Sequence, residues 1–227
     1  MEYEITDELY ANPLATPEDI ADFRLEGDAS ITFPRKRMRL EQAYERDYDQ
    51  GLHANFVLWC PEDFPADIAV SWQFLPYTDA GLAMVWIAAA GCGGEDIFDP
   101  KLAARSGDYP QYHHGDINAY HLAYFRRNPK EILLQTCNLR KSHGFHLVAQ
   151  APEPMPSARD AVAPYAMRLV KCGPHLRFSI NDLPVLSWTD DGGVGGPPHG
   201  GGKIGFRQMA GLIADYTDLR VHAVKEA

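Results

Sequence analysis

Short runs of alternating apolar and polar residues, separated by Gly, Pro, Asn and Asp, recur along the chain. A period of two places successive side chains on opposite faces of a strand. In Val70-Ser71-Trp72-Gln73-Phe74 the apolar set is Val70, Trp72 and Phe74, leaving Ser71 and Gln73 on a polar face. In the run from Lys203 to Met209, Ile204 and Phe206 share the apolar face and Gly205 and Arg207 the other. Similar runs predict strands at residues 30–33, 37–41, 55–59, 68–75, 82–90, 119–127, 132–137, 165–171, 176–180, 185–188, 203–209 and 215–224. Many short strands at this spacing predict an all-β, two-sheet antiparallel β-sandwich. Helix is confined to one or two short turns, the clearest at Thr16-Pro17-Glu18-Asp19, an N-cap followed by Pro and early acids. Asn181-Asp182 before Leu183-Pro184 marks a hairpin turn into a strand that tolerates Pro, and so an edge.

The densest apolar run, residues 82–90, is too short to span a bilayer and predicts a buried strand. It is followed by an irregular excursion over residues 91–118, and unstructured loops of that length are usually functional or disordered. No fixed-period repeat or linker divides the chain, so residues 1–227 are expected to form a single domain.

The net charge of −10 disfavours a nucleic-acid partner, whose phosphates require Lys and Arg. The first residues carry neither a basic segment nor an apolar one, which leads us to expect a cytoplasmic protein without a membrane partner. Cys60, Cys92, Cys137 and Cys172 show no C-x-x-C spacing and are expected as reduced thiols. Oligomeric state is left open.

The segment from His113 to Arg127 holds three histidines, an acid, an amide, two tyrosines and two arginines, chemistry a scaffold strand does not need. Alternation puts His121, Ala123, Phe125 and Arg127 on one side, assigned to a groove, and Tyr120, Leu122, Tyr124 and Arg126 on the other. Directional hydrogen-bonding groups beside an aromatic ring suit a sugar, whose hydroxyls need donors and acceptors and whose ring faces pack on aromatic faces. The candidate binding residues are Gln73, Trp59, His114, Asn118, Phe125, Arg127, Asn138 and Arg140, with Trp86 an alternative to Trp59 as platform. The bland alternatives are a core tryptophan and, for Asn138, Arg140 and Lys141, a tied turn. Glu41, Glu45 and Asp47 read as a solvated face.

The segments YANPL, FVLWCPEDFP, GEDIFDP, HHGDINAYHLAYFRR, TCNLRKSHGFHL and GKIGFRQM, in order from Tyr10 to about Val221, resemble the bacterial YesU-like family of unknown function. The resemblance implies a concanavalin A-like lectin/glucanase jelly roll. Some members lie in gene sets for pectin and rhamnogalacturonan breakdown, which implies by association an acidic oligosaccharide ligand.

For catalysis the candidates are His121, Asp116, Arg207 and Glu95. A hydrolase needs two flanking carboxyls, for which Glu95, Asp96, Asp99 and Asp116 are available, but no E-x-D-x-E run aims acids into one cleft. A lyase needs a base, His121 or a nearby Tyr, with Arg207, Arg140 and Asn118 or Gln73 steadying the uronate carboxylate. A lectin-like protein without turnover is the second reading. No metal or cofactor is assigned; calcium is the cation that Asp96, Asp99 and Asp116 would suit.

Overall fold

The computed structural model describes residues 2–43, 55–127 and 134–227. Fifteen strands occur among them: β1 (Tyr3–Asn12), β2 (Arg24–Gly27), β3 (Ala29–Thr32), β4 (Met38–Gln42), β5 (Phe56–Trp59), β6 (Ile68–Pro76), β7 (Leu82–Gly91), β8 (Ile117–Tyr124), β9 (Thr136–Ser142), β10 (His146–Pro152), β11 (Tyr165–Cys172), β12 (His175–Ile180), β13 (Leu183–Thr189), β14 (Lys203–Met209) and β15 (Ala214–Glu226). They form two antiparallel sheets. One runs β13-β12-β11-β6-β15-β4-β3, with β1 also on β15; the other runs β10-β9-β8-β7-β14-β5-β2. This is the all-β, two-sheet antiparallel sandwich that the alternation predicts and the jelly roll that the family resemblance implies; among the described residues its helix amounts to one α-turn and a few 3₁₀ turns.

The core lies between the sheets. Val70, Trp72 and Phe74 face Tyr120, Leu122, Tyr124, Ile204 and Phe206, all at most 1% exposed. A second apolar cluster lies on the far side of the β8-β7-β14-β5 sheet, where Val57, Trp59, Met84, Trp86, Ala119 and Ala123 meet Ile97 and Tyr112. The excursion after β7 folds back over that outer face, so β7 is covered on both sides and its sequence runs apolar without alternating. Gly205 permits the packing beneath it: a Cβ there would stand 2.4 Å from the Trp59 ring.

Asn181 and Asp182 both have positive φ, 49° and 61°, the two-residue hairpin expected before edge strand β13. Pro17–Ile20 forms a 3₁₀ turn, with Asp19 accepting from the Thr16 amide at 2.8 Å. Three expectations change. β1 and β2 were not expected as strands; β1 is a largely exposed edge strand lacking an apolar face. The strand expected over 132–137 lies partly outside the described residues; β9 continues to Ser142, so Asn138, Arg140 and Lys141 are strand residues and not a tied turn. Glu45 and Asp47 also lie outside the described residues.

Candidate functional site

Cross-strand register defines the outer face of the β10-to-β2 sheet. Arg24, Trp59, Gly205, Trp86, His121, Arg140 and Leu147 form one row of paired residues; Glu26, Val57, Arg207, Met84, Ala123, Asn138 and Gln150 form the next. The excursion seals the β5-β14 half of this face. Its Arg105 pairs with Glu26 at 2.8 Å, and its Gly107 carbonyl accepts from Arg207 at 2.8 Å. Toward β9 and β10 the face opens, edged by half-buried Tyr109, Arg126 and Arg140 and by exposed Phe145 and Leu147.

His121 sits at the seam, 1% exposed, stacked on Trp86 with ring centres 4.2 Å apart and planes 15° from parallel. Its Nδ1 is 3.1 Å from the Tyr109 hydroxyl and its Nε2 is 3.1 Å from Ser142 Oγ. Burial, reinforced by Arg140, His113 and Arg207, holds the imidazole well below its ordinary pKa, so it is neutral. The Tyr109 hydroxyl is pushed up to about 12 by burial, with Arg207, Arg140 and Arg126 pulling the other way. His113, edge-on to Tyr109 at 4.7 Å, is lowered to about 4 by burial and then by His114 and the arginines.

Three guanidinium groups surround this pair, and among the described residues none of them has a carboxylate within ion-pair distance. Arg207 is fully buried and lies over Tyr109 and Tyr112 at 4.8 and 5.3 Å, with its Nε and Nη2 lacking a hydrogen-bond partner. Burial lowers its pKa to about 10. Arg140 lies 3.7 Å over the Phe145 ring and donates to that residue's carbonyl at 3.1 Å. Arg126 donates to the Thr136 hydroxyl; its pKa is lowered by burial and by Arg140. With its amide oriented to satisfy both ends, Asn138 lies between Gln150, 2.8 Å away, and Arg126, 3.2 Å away. Asp108 is the carboxylate that acts on Arg207, without reaching ion-pair distance.

Of the residues read from sequence, His121, Arg207, Arg140 and Asn138 are thus brought together. Others are elsewhere. Phe125 adopts φ 46°, which breaks the alternation: its ring enters the core 5.7 Å from Phe74. Arg127 then turns inward to Glu153 at 2.7 Å, and Arg126 takes the groove side expected for Arg127. Trp59 is sealed at 0% exposure with its Nε1 donating to Glu26 at 2.9 Å, so it offers no platform. Gln73 lies on the outer face of the other sheet, beside Ser71 and Arg168. His114 is an exposed neighbour of His113.

Glu95, Asp116 and Asn118 lie where β7 ends and β8 begins. Glu95 accepts from the Gly93 amide at 2.9 Å and Asp116 from that of Ala103 at 2.7 Å, while Asn118 holds the His143 amide at 3.0 Å. Asn118 and Cys92 line a cavity of about 490 Å³ with His199 and the Gly/Pro-rich segment 195–201. The two acids are therefore not a pair flanking the Tyr109–His121 groove. The calcium reading changes too. Asp96 pairs with Lys203 at 3.1 Å, Asp99 accepts from the Lys101 amide at 2.9 Å, and no group of three or more acidic, His or Cys side chains that could hold a metal occurs among the described residues.

Tyr109, Arg126, Ser142, Phe145 and Gln150 were missed. Phe145 and Ser142 stood in the SHGFH segment beside Arg140, whereas nothing local marked Tyr109, which reaches His121 only because the excursion folds back.

Two antiparallel sheets packed face to face, with a polar, aromatic-edged groove on one outer face, define an all-β jelly-roll sandwich. Solved structures of that class match at low identity, the fold alone being shared. The galactose complex of the lectin UEA-II has TM-score 0.57 and 11% identity over 98% of this chain and 100% of that one. A Bacillus licheniformis β-glucanase has TM-score 0.56 and 9% identity over 97% and 99%. Within it the chain belongs to the domain-of-unknown-function family DUF1961, whose model matches residues 7–221. The uncharacterized protein YesU of Bacillus subtilis is 50% identical over 215 residues, 94% of each chain. A crystal structure of a Bacillus subtilis protein of unknown function with a galectin-like fold superposes with TM-score 0.93 at 48% identity, covering 100% of both chains. No helix of the described residues is long and apolar enough to cross a membrane.

Proposed function

We propose that the protein binds oligosaccharides bearing a carboxylate across the open half of the β8-β9-β10 face and cleaves them by β-elimination. The observation that carries this reading is the cluster of Arg126, Arg140 and Arg207, with no carboxylate within ion-pair distance among the described residues, around a neutral His121–Tyr109 pair. Arg126, Arg140 and Asn138 would take the carboxylate, which stabilises the negative charge that develops when the adjacent C–H proton leaves. Phe145, with Arg140 behind it, would carry a sugar face.

Lyase chemistry is favoured over hydrolysis because a glycosidase needs two carboxyl groups astride the bond. Here Glu95 and Asp116 are engaged by backbone amides away from the groove. Pectin-type and rhamnogalacturonan-type fragments are the leading substrates. The four free thiols fit a reducing, cytoplasmic setting, and with it short imported oligosaccharides.

Lectin-like binding without turnover is the second reading, supported by the engagement of Glu95 and Asp116 by backbone amides away from the groove. The test is incubation with a panel of uronate oligosaccharides, following near-ultraviolet absorbance of an unsaturated product alongside calorimetric binding. Binding with new absorbance supports the lyase and binding alone the lectin; neither, from a folded protein, removes both.

A further inference from the structure

We infer that Tyr109 is the catalytic residue that touches the substrate proton, with His121 taking up the Tyr109 proton and Ser142 positioning the imidazole, and that the substrate's own carboxylate switches the relay on. This deepens the elimination reading above and rests on it.

The geometry restricts the choice of base. His121 is 1% exposed, one ring face is covered by Trp86 and both nitrogens are engaged. No edge of it remains for a ligand. Tyr109 lies on its open side, partly exposed, with its hydroxyl on His121 Nδ1 and its ring edge-on to Phe145 at 5.4 Å. A neutral imidazole donates from one nitrogen and accepts at the other. With Nε2–H donating to Ser142 Oγ, the Nδ1 lone pair accepts the Tyr109 O–H.

The step then balances without an added reagent. As the substrate C–H bond beside the carboxylate breaks, its proton goes to the Tyr109 oxygen while the Tyr109 O–H proton passes to His121 Nδ1. The C–H electron pair becomes the new C=C bond, and the glycosidic C–O bond breaks with its pair on the leaving oxygen. Tyr109 donates its proton to that oxygen and recovers one from His121. The products are an unsaturated uronate and a free hydroxyl, with both side chains back in their starting state.

The charges explain why the relay waits for substrate. The groups facing the pair are Arg140 on β9, Arg126 just after β8, Arg207 on β14 and His113 on the turn Pro110–His113, with His114 and His143 behind it. Arg140 and Arg207, the latter partly offset by Asp108, oppose a positive charge on His121, and a carboxylate seated on Arg126 and Arg140 weakens that opposition.

The experiment uses the full chain, a uronate trisaccharide as substrate and the monomeric uronate as an uncleaved probe. Tyr109→Phe is expected to bind the trisaccharide within about threefold of wild type while turnover falls about a hundredfold or more, the scale of a lost acid–base group. In wild type, NMR titration of the His121 imidazole is expected to show its pKa rising by about one unit or more when the monomer binds, and this measurement stands whether or not the variant folds. Ser142→Ala is expected to shift the pH profile of kcat/KM while binding persists. Turnover retained in Tyr109→Phe, an imidazole pKa unmoved by bound monomer, or wild-type binding without unsaturated product would each overturn the relay and leave uronate binding standing. No uronate binding by folded wild type would overturn the proposed function itself.

Discussion

Arg126 and Arg127 are adjacent, yet their replacement should give opposite results, because left-handed Phe125 sends one to the groove and the other into a buried clamp. The Arg127 and Glu153 side chains are both 0% exposed, with Nη1 2.7 Å from the carboxylate. Arg127 also donates to the carbonyls of Arg126 at 3.0 Å and of Met155 and Pro156 at 3.1 Å. Arg127→Met leaves two carboxylates, Glu153 and the more distant Asp79 at 3.6 Å, and three carbonyls without this cation. Breaking a buried pair from one side costs about 3–5 kcal/mol. At roughly 2–4 °C per kcal/mol for a chain of this size, Tm should fall by about 6–20 °C. Adding Glu153→Gln should recover much of the loss, since the uncompensated charge is the main penalty. Arg126→Met should change stability by less than about 1 kcal/mol, because its side chain is half-buried and already opposed by Arg140. Its loss should weaken binding of an acidic trisaccharide about 10–100-fold, the equivalent of a charged hydrogen bond at roughly 1.5–3 kcal/mol. Urea unfolding followed by tryptophan fluorescence, paired with calorimetry, reads both quantities. If Arg127→Met bound weakly at unchanged Tm, or Arg126→Met unfolded the protein, the assignment of the two arginines would be wrong.

Three further outcomes follow from the packing. His113 and His199, both lowered to about 4 by burial, bind fewer protons folded than unfolded between about pH 4 and 6.5. Their contribution is present above pH 6.5 and lost toward pH 4, so the urea midpoint should fall between pH 7 and 5, and His199→Gln should flatten part of the slope; a midpoint that rises would contradict this. Gly205→Ala puts a Cβ 2.4 Å from the Trp59 ring and should cost about 1–3 kcal/mol in urea unfolding, whereas a neutral result would show that Trp59 can shift. Gln73→Ala should leave sugar affinity unchanged in calorimetry, since Gln73 faces outward from the opposite sheet; a loss would relocate the ligand.

The sandwich was legible because period-two alternation directly reports a half-buried strand. Val70, Trp72, Phe74, Ile204 and Phe206 all face the core as the pattern requires. The same rule turned His121 and Arg207 away from the apolar sides of their strands, and register sets both on one outer face with Arg140 beside them, a residue that alternation had not placed. It failed where the backbone leaves the pleat: a single positive φ at Phe125 exchanged the roles of Arg126 and Arg127. Alternation also says nothing about what covers a face. Trp59 and Trp86 point outward from their sheet as alternation allows, but the excursion buries them, and only its path brings Tyr109 to His121. Gln73 shows the remaining gap: its polar face was identified correctly, but sequence does not assign that face to a sheet.

The central claim is that the open half of the β8-β9-β10 face recognises a carboxylate-bearing sugar. Calorimetric titration of a uronate trisaccharide against its methyl ester, at low and high salt, tests it most directly. The account predicts measurable binding of the acid that weakens with salt, drops at least tenfold on esterification and drops similarly in Arg140→Met. Equal affinity for acid and ester, or acid binding untouched by Arg140→Met, would contradict it.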